Sequence, residues 1–200
     1  MPKFRFSAAA KIGTIFAVGI AIGAAMAWLE PRYRDLLTPI SGIGGPFSLV
    51  DQNGKPVTER DYLGKPTLVF FGFTFCPDVC PTTLFELSNR LEELGRAADR
   101  LNILFITVDP ERDTPAKLAL FLSSFDNRIT GLSGSNENIR AAMKAYRVYA
   151  RKVPLEGEDY TMDHTATIYM MNAKGQLVGI IEYQERKESV QAKLRRLLDL

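Results

Sequence analysis

The sequence predicts an α/β domain, and three observations carry that expectation. Residues 67–71 (Thr67-Leu68-Val69-Phe70-Phe71) and 101–108 are apolar without alternation, which suits strands covered on both faces. Each run leads into a helical pattern, with Leu84, Leu87, Leu91 and Leu94 after the first and a Thr114-Pro115 start after the second. A hairpin pattern near the C-terminus then leads into a last helix with Val190, Leu194 and Leu197 on one face.

The chain begins with a segment of a different kind. Residues 12–29 contain no charged side chain, and 18 helical residues rise about 27 Å, close to the hydrocarbon thickness of a bilayer. A single transmembrane anchor is expected there. Lys3, Arg5 and Lys11 precede or open the run, so residues 1–11 are expected in the cytoplasm and everything after Glu30 outside it, with Trp28 at the outer interface. The rival reading is a cleaved signal peptide ending at Ala25-Met26-Ala27, although the run exceeds the usual h-region. Both readings export the rest to an oxidising compartment. Gly19 and Gly23 have small-xxx-small spacing, but glycines are common in membrane spans and no dimer is inferred from it.

Residues 30–45, with Pro31, Pro39, Gly42, Gly44 and Gly45, read as a linker. Removing the three leading basic residues from 25 leaves 22 against 23 acidic ones, a net −1, so a nucleic-acid footprint is excluded.

Residues 46–200 have the size of one domain, large enough to need no disulfide to hold its core. Segments 47–50 and 55–58 flank Asp51-Gln52-Asn53-Gly54 as a hairpin extension. The strands at 67–71 and 101–108, joined through a helix, should pair in parallel. Residues 129–132 read as a short strand, and Asn136 as the cap of a helix with Ile139, Met143 and Tyr146 on one face. Both are expected as insertions or sheet cover. An acidic loop, Glu156-Gly157-Glu158-Asp159, leads to a strand with His164 at its start, and Asn172-Ala173-Lys174-Gly175 turns the chain into 177–183.

The chemistry should lie in Gly72-Phe73-Thr74-Phe75-Cys76-Pro77-Asp78-Val79-Cys80-Pro81, which holds both cysteines; the one histidine is His164. This stretch is a strand-to-helix turn, where orphan N–H groups and the helix dipole favour thiolate. Spacing i, i+4 puts two exposed sulfurs on one helical face, about 5–6 Å apart at Cβ. They could close a disulfide or clasp an ion, and spacing alone leaves both open. A βαβ half, a ββα half and paired cysteines at the first strand-to-helix turn resemble the thioredoxin fold, in the enlarged form of peroxiredoxin-like members. Fold alone does not fix function.

Three separated motifs narrow the resemblance. Gly72-Phe73-Thr74 before Cys76-Pro77-Asp78-Val79-Cys80-Pro81, then Val108-Asp109-Pro110-Glu111-Arg112-Asp113-Thr114, then Asp163-His164-Thr165, resemble the Sco (SenC/PrrC) family over residues 46–200. The resemblance implies a membrane-anchored copper chaperone with Cys76, Cys80 and His164 as ligands of Cu(I) or Cu(II). Its implied partners are a copper donor protein and the cytochrome c oxidase subunit carrying the copper A site. Its implied location is the bacterial inner membrane facing the periplasm, or the mitochondrial inner membrane facing the intermembrane space. The N-terminus lacks a long Arg- and Ser-rich transit peptide, which favours the bacterial case. Phe75 stands where related sequences often carry a polar residue or histidine.

Two thiolates and an imidazole form a soft set suited to Cu(I). A structural zinc site normally has four protein ligands, and the sequence offers no fourth cysteine or histidine. Asp78, Asp163 and Met162 neighbour the ligands, with solvation or packing as their ordinary reading; Arg112 is read as structural, paired with Asp109 or Asp113. A plain disulfide closing so short a loop would stabilise by only about 2 kcal/mol. Metal delivery turns nothing over. The enzymatic alternative is a thiol–disulfide oxidoreductase that uses a redox-active Cys76–Cys80 disulfide to reduce the acceptor's cysteines. A general thioredoxin is disfavoured by the three-residue spacing and by the absence of a proline directly before the His164 strand. A peroxidase would leave His164 without a task.

Overall fold

A computed structural model describes residues 42–157 and 159–200. In chain order these form β1 (Ser48–Asp51), β2 (Pro56–Thr58), β3 (Thr67–Gly72), α1 (Val79–Leu94), β4 (Asn102–Thr107), α2 (Pro115–Leu122) and β5 (Ile129–Ser133). There follow α3 (Asn136–Tyr146), β6 (Ala150–Pro154), β7 (Tyr160–His164), β8 (Ile168–Met171), β9 (Leu177–Ile181) and α4 (Lys187–Leu197). The expected anchor at 12–29, the leading residues 1–11 and most of the linker 30–45 lie outside the described residues. Among the described residues no helix is long and apolar enough to cross a membrane.

Seven strands make one mixed sheet in the order β2-β1-β5-β4-β3-β8-β9. β3 lies between β4, its parallel partner, and β8, its antiparallel one, and every residue of β3 is buried. Covering both faces is what its unbroken apolar run requires. Successive side chains point to opposite faces, and the aromatic residues sort accordingly. Phe70 meets Phe105, which meets Phe121, at centroid separations of 5.9 and 5.7 Å. Phe71 packs instead on Tyr146 of α3 at 5.4 Å and edge-on to Tyr169.

α1 buries the expected leucine stripe, Leu84, Leu87, Leu91 and Leu94, and ends at Gly95, whose φ of 57° is left-handed backbone that glycine enters without strain. α2 starts as read, with the Thr114 hydroxyl accepting from Lys117 N–H and Pro115 in the first position. α4 buries Val190, Leu194 and Leu197.

Four expectations need correction. β5 is no appendage: it lies inside the sheet, parallel to β4 and antiparallel to β1. The cap of α3 is Ser135, whose hydroxyl accepts from Asn138 N–H, with Asn136 already helical. Residues 150–154 and 160–164, for which the sequence gives no strand pair, form the hairpin β6–β7, a separate two-stranded sheet. His164 therefore closes a hairpin strand and does not open β8.

Candidate metal centre

The cysteine loop leaves the carboxyl end of β3 and is fixed before the helix begins. Cys76 N–H donates to Phe73 C=O at 3.3 Å, closing a turn. Thr74 is tied down harder, because its N–H and hydroxyl both donate to the Asp113 carboxylate at 3.0 and 2.6 Å. Thr107 at the end of β4 donates a third bond to the same carboxylate at 2.7 Å. Asp113 is fully buried, and desolvation holds its carboxyl above the usual carboxylate range although all three bonds oppose that shift.

Cys76 precedes the N-cap residue Asp78 and is thus not on the helix, which corrects the expectation of two sulfurs on one helical face. Its sulfur instead accepts the backbone N–H of Cys80 at 3.3 Å, which meets one of the orphan donors of the first turn. Asp78 does not cap with its side chain; it accepts from Thr82 and faces solvent. The sulfurs also differ in exposure. Cys76 is half-buried, whereas Cys80 has no accessible surface, so the expectation of two exposed thiols fails for Cys80. Gly72 makes this possible, since a Cβ there would lie 2.6 Å from Phe105 and 3.0 Å from the Cys80 sulfur.

β7 carries His164 to the pair across 84 residues of sequence, with Nε2 3.6 Å from the Cys80 Sγ. The other ring nitrogen, Nδ1, lies 2.9 Å from the Thr165 carbonyl oxygen, and a carbonyl can only accept. The proton of a neutral ring therefore sits on Nδ1, and the Nε2 lone pair faces the thiols. Phe73 meets the ring edge-on at 5.6 Å.

These contacts divide the titration of the pair. The Cys80 thiol, and to a lesser extent the His164 ring, hold the Cys76 thiol down to about 4 against the opposing effect of burial. Cys80 is pushed strongly up by its bond to Cys76 and by burial. One proton is thus retained between the sulfurs. Among the described residues no three or more His, Cys, Asp or Glu side chains are gathered closely enough to hold a metal ion as they stand. The three groups meet pairwise, and the donor set of two sulfurs and one imidazole fits a soft, low-coordinate ion.

The remaining neighbours take their ordinary roles. Asp163 is exposed and pairs with Arg151 at 3.3 Å, while Met162 packs against the core. Arg112 is ion-paired with the buried Asp109, as read, but also reaches Asp159 at 3.1 Å and the Tyr160 carbonyl at 2.8 Å. Asp109, Asp113 and Tyr160 were not foreseen as parts of the site. The sequence signal for the two aspartates is the charged run directly after β4; Tyr160 carries none. A groove of about 490 Å³ lies between α1 and α4, and its lining does not include Cys76, Cys80 or His164.

The SCO1/SenC family profile matches residues 38–199. Among curated proteins, the mitochondrial SCO1 homologue of Mus musculus is 36% identical over 190 residues, which cover 88% of this chain and 65% of that protein. The chain therefore spans just under two-thirds of that relative's length. Among solved structures, Bradyrhizobium japonicum ScoI with copper bound has a TM-score of 0.73 and 54% identity, covering 78% of this chain and 99% of that one. Yeast Sco1 with copper bound has a TM-score of 0.72 and 39% identity, covering 78% of this chain and 87% of the other.

Proposed function

The chain belongs to the SCO1/SenC family, and from that premise we propose that it carries copper and hands it to the cytochrome c oxidase subunit that holds the copper A centre. Cys76, Cys80 and His164 are the ligands, and copper is cargo received from a donor protein. The observation that carries this reading is the orientation of His164. Its Nδ1 is committed to the Thr165 carbonyl, and its lone pair is turned on the buried Cys80 sulfur at 3.6 Å. Residues 12–29 anchor the domain 46–200 through the linker 30–45. The domain works on the periplasmic face of a bacterial inner membrane; the mitochondrial names of several relatives support a counterpart facing the intermembrane space.

What the residues do follows from their placement. Cys76, reachable and held as thiolate, meets the incoming ion first. Cys80 gives up its proton as the second sulfur binds, and His164 adds a neutral donor without further proton release. Titration of the reduced full-length chain with Cu(I) under anaerobic conditions should saturate at one ion per chain, and oxidation to the Cys76–Cys80 disulfide should abolish it. Undiminished binding by the oxidised chain would remove the proposed ligand set.

One observation supports a second role as dithiol reductant: an accessible Cys76 beside an enclosed Cys80. Cys76 thiolate would attack an acceptor disulfide and form a mixed disulfide, releasing one acceptor thiolate. Cys80 would then displace the other. The acceptor disulfide is reduced by two electrons as the Cys76–Cys80 bond forms.

A further inference from the structure

His164 rides on the one strand pair that lies outside the main sheet among the described residues. A lone two-stranded hairpin is marginal in water, so its hold on the body must come from side chains. At its far end that hold is the Asp109–Arg112 turn. Arg112 Nε donates to Asp109, which is 1% exposed, while Nη1 donates to Asp159 and to the Tyr160 carbonyl. The Tyr160 hydroxyl donates back to Asp109 at 2.8 Å. Glu111 of the same turn takes Lys152 of β6 at 2.6 Å.

The same guanidinium reaches the cysteine side. It lies 3.7 Å from the Tyr160 ring centroid and 4.5 Å from that of Phe75, the residue before Cys76. It is held between two aromatic residues from two segments, one leading to a thiol and one to the imidazole. Among the described residues its buried Nη2 has no hydrogen-bond partner. The hydrogen bonds of Nε and Nη1 fix the guanidinium on the hairpin side, and the ring contacts carry it across to the cysteine loop.

We propose that Arg112 is the positioning residue that docks the β6–β7 hairpin onto the cysteine loop and thereby sets His164 against Cys76 and Cys80. This rests on the reading of those three residues as copper ligands. Phe75, which no ligand role explains, is then the cysteine loop's half of the clamp. Arg112 touches neither thiol nor imidazole. Its effect on the site must pass through the orientation of His164.

The test is Arg112→Lys in the full-length chain. Lysine keeps a cation beside Asp109 but loses the planar stack and the fork to Asp159 and Tyr160. Arg128→Lys, in an arginine that pairs with Asp126 and Asp99, is the comparator for a merely structural loss. The first readout needs no metal: amide hydrogen exchange in Ala150–Pro154 and Tyr160–His164 should quicken severalfold in Arg112→Lys while β3 and β4 stay protected, and Arg128→Lys should leave the hairpin unchanged. The second is Cu(I) competition against a chelator, where Arg112→Lys should weaken binding about 10–100-fold, as loss of an outer support typically does. In a His164→Ala background the same substitution should have no further effect. Unchanged hairpin exchange, or an equal loss of affinity in both backgrounds, would overturn the proposal. If His164→Ala alone retains Cu(I) as tightly as the parent, the ligand reading falls and the positioning role falls with it, whatever the exchange shows. If the ligand reading stands and exchange is unmoved, only the clamp is lost.

Discussion

Delivery and reduction both need Cys76 and Cys80, so the informative perturbation is His164→Ala. The structure bounds its cost to the fold. The ring makes an edge-on contact with Phe73, a bond to its neighbour's carbonyl and a long contact with the Cys80 sulfur, together worth about 1–3 kcal/mol. For a domain of this size that lowers Tm by roughly 2–12 °C, and the variant stays folded at 25 °C. The cost to metal binding is larger in proportion. Losing an outer support alone weakens a site by about 10–100-fold. Losing the donor itself should therefore exceed about 100-fold, or ~2.8 kcal/mol. The disulfide potential should move little, since His164 forms no covalent bond to either sulfur and is a lesser cause of the Cys76 shift than Cys80; a change within about 30 mV is expected. The assay pairs anaerobic Cu(I) competition with a glutathione redox titration, and then asks whether the variant supports copper A assembly in cells lacking the parent. A variant that loses copper yet supports assembly fully at ordinary copper levels would refute delivery and leave reduction as the function.

Two further predictions concern the frame around the site. Gly72→Ala drives a methyl group to 2.6 Å from Phe105 and 3.0 Å from the Cys80 sulfur; overpacking of this kind costs about 1–3 kcal/mol, to be read from denaturant unfolding of the reduced chain, and a stability equal to the parent's would show the contact to be soft. The Arg128 guanidinium holds the Asp126 carboxyl below its ordinary value. A depressed carboxyl stabilises the fold above its unfolded pKa of about 3.9 and loses that contribution as pH falls through the folded value. Asp126→Asn should thus be less stable than the parent by about 1 kcal/mol at pH 7, with the gap closing in strong acid; a gap independent of pH would contradict the pairing.

The parts of the fold legible in the sequence were those whose signal is local. β3 announced itself by burying both faces, α1 by its leucine stripe, and α2 by Thr114 and Pro115. β6 and β7 gave no such signal, because their residues are at best half-buried and charged ones such as Arg151, Lys152 and Asp163 interrupt any alternation. That hid the hairpin and misplaced His164 by one element. β5 was undervalued because five residues containing Gly131 are a weak strand motif, and β1, one of its two neighbours in the sheet, comes from a distant segment. The three motif positions Cys76, Cys80 and His164 were legible as types, but not their unequal burial. Cys80 packs beside Gly72 of β3, an approach that a periodicity argument does not reveal. For Asp109 and Asp113 the motif was legible but not their long-range partners, Tyr160 and Thr74, which lie 51 and 39 residues away.

The sulfurs are seated on the loop and first helical turn that follow the central strand β3, and the imidazole on an appendage beside the sheet, and this division has an evolutionary consequence. Changes in the hairpin can remove or restore the third donor while the sheet and both cysteines stay as they are. Such a scaffold can drift between a metal carrier and a bare dithiol by single substitutions, each intermediate folded and open to selection. Change on the sheet side is not so free. A larger residue at Gly72 needs a smaller one at Phe105, so those two positions should vary together across descendants of this chain, while 150–164 diversifies with the use to which each is put.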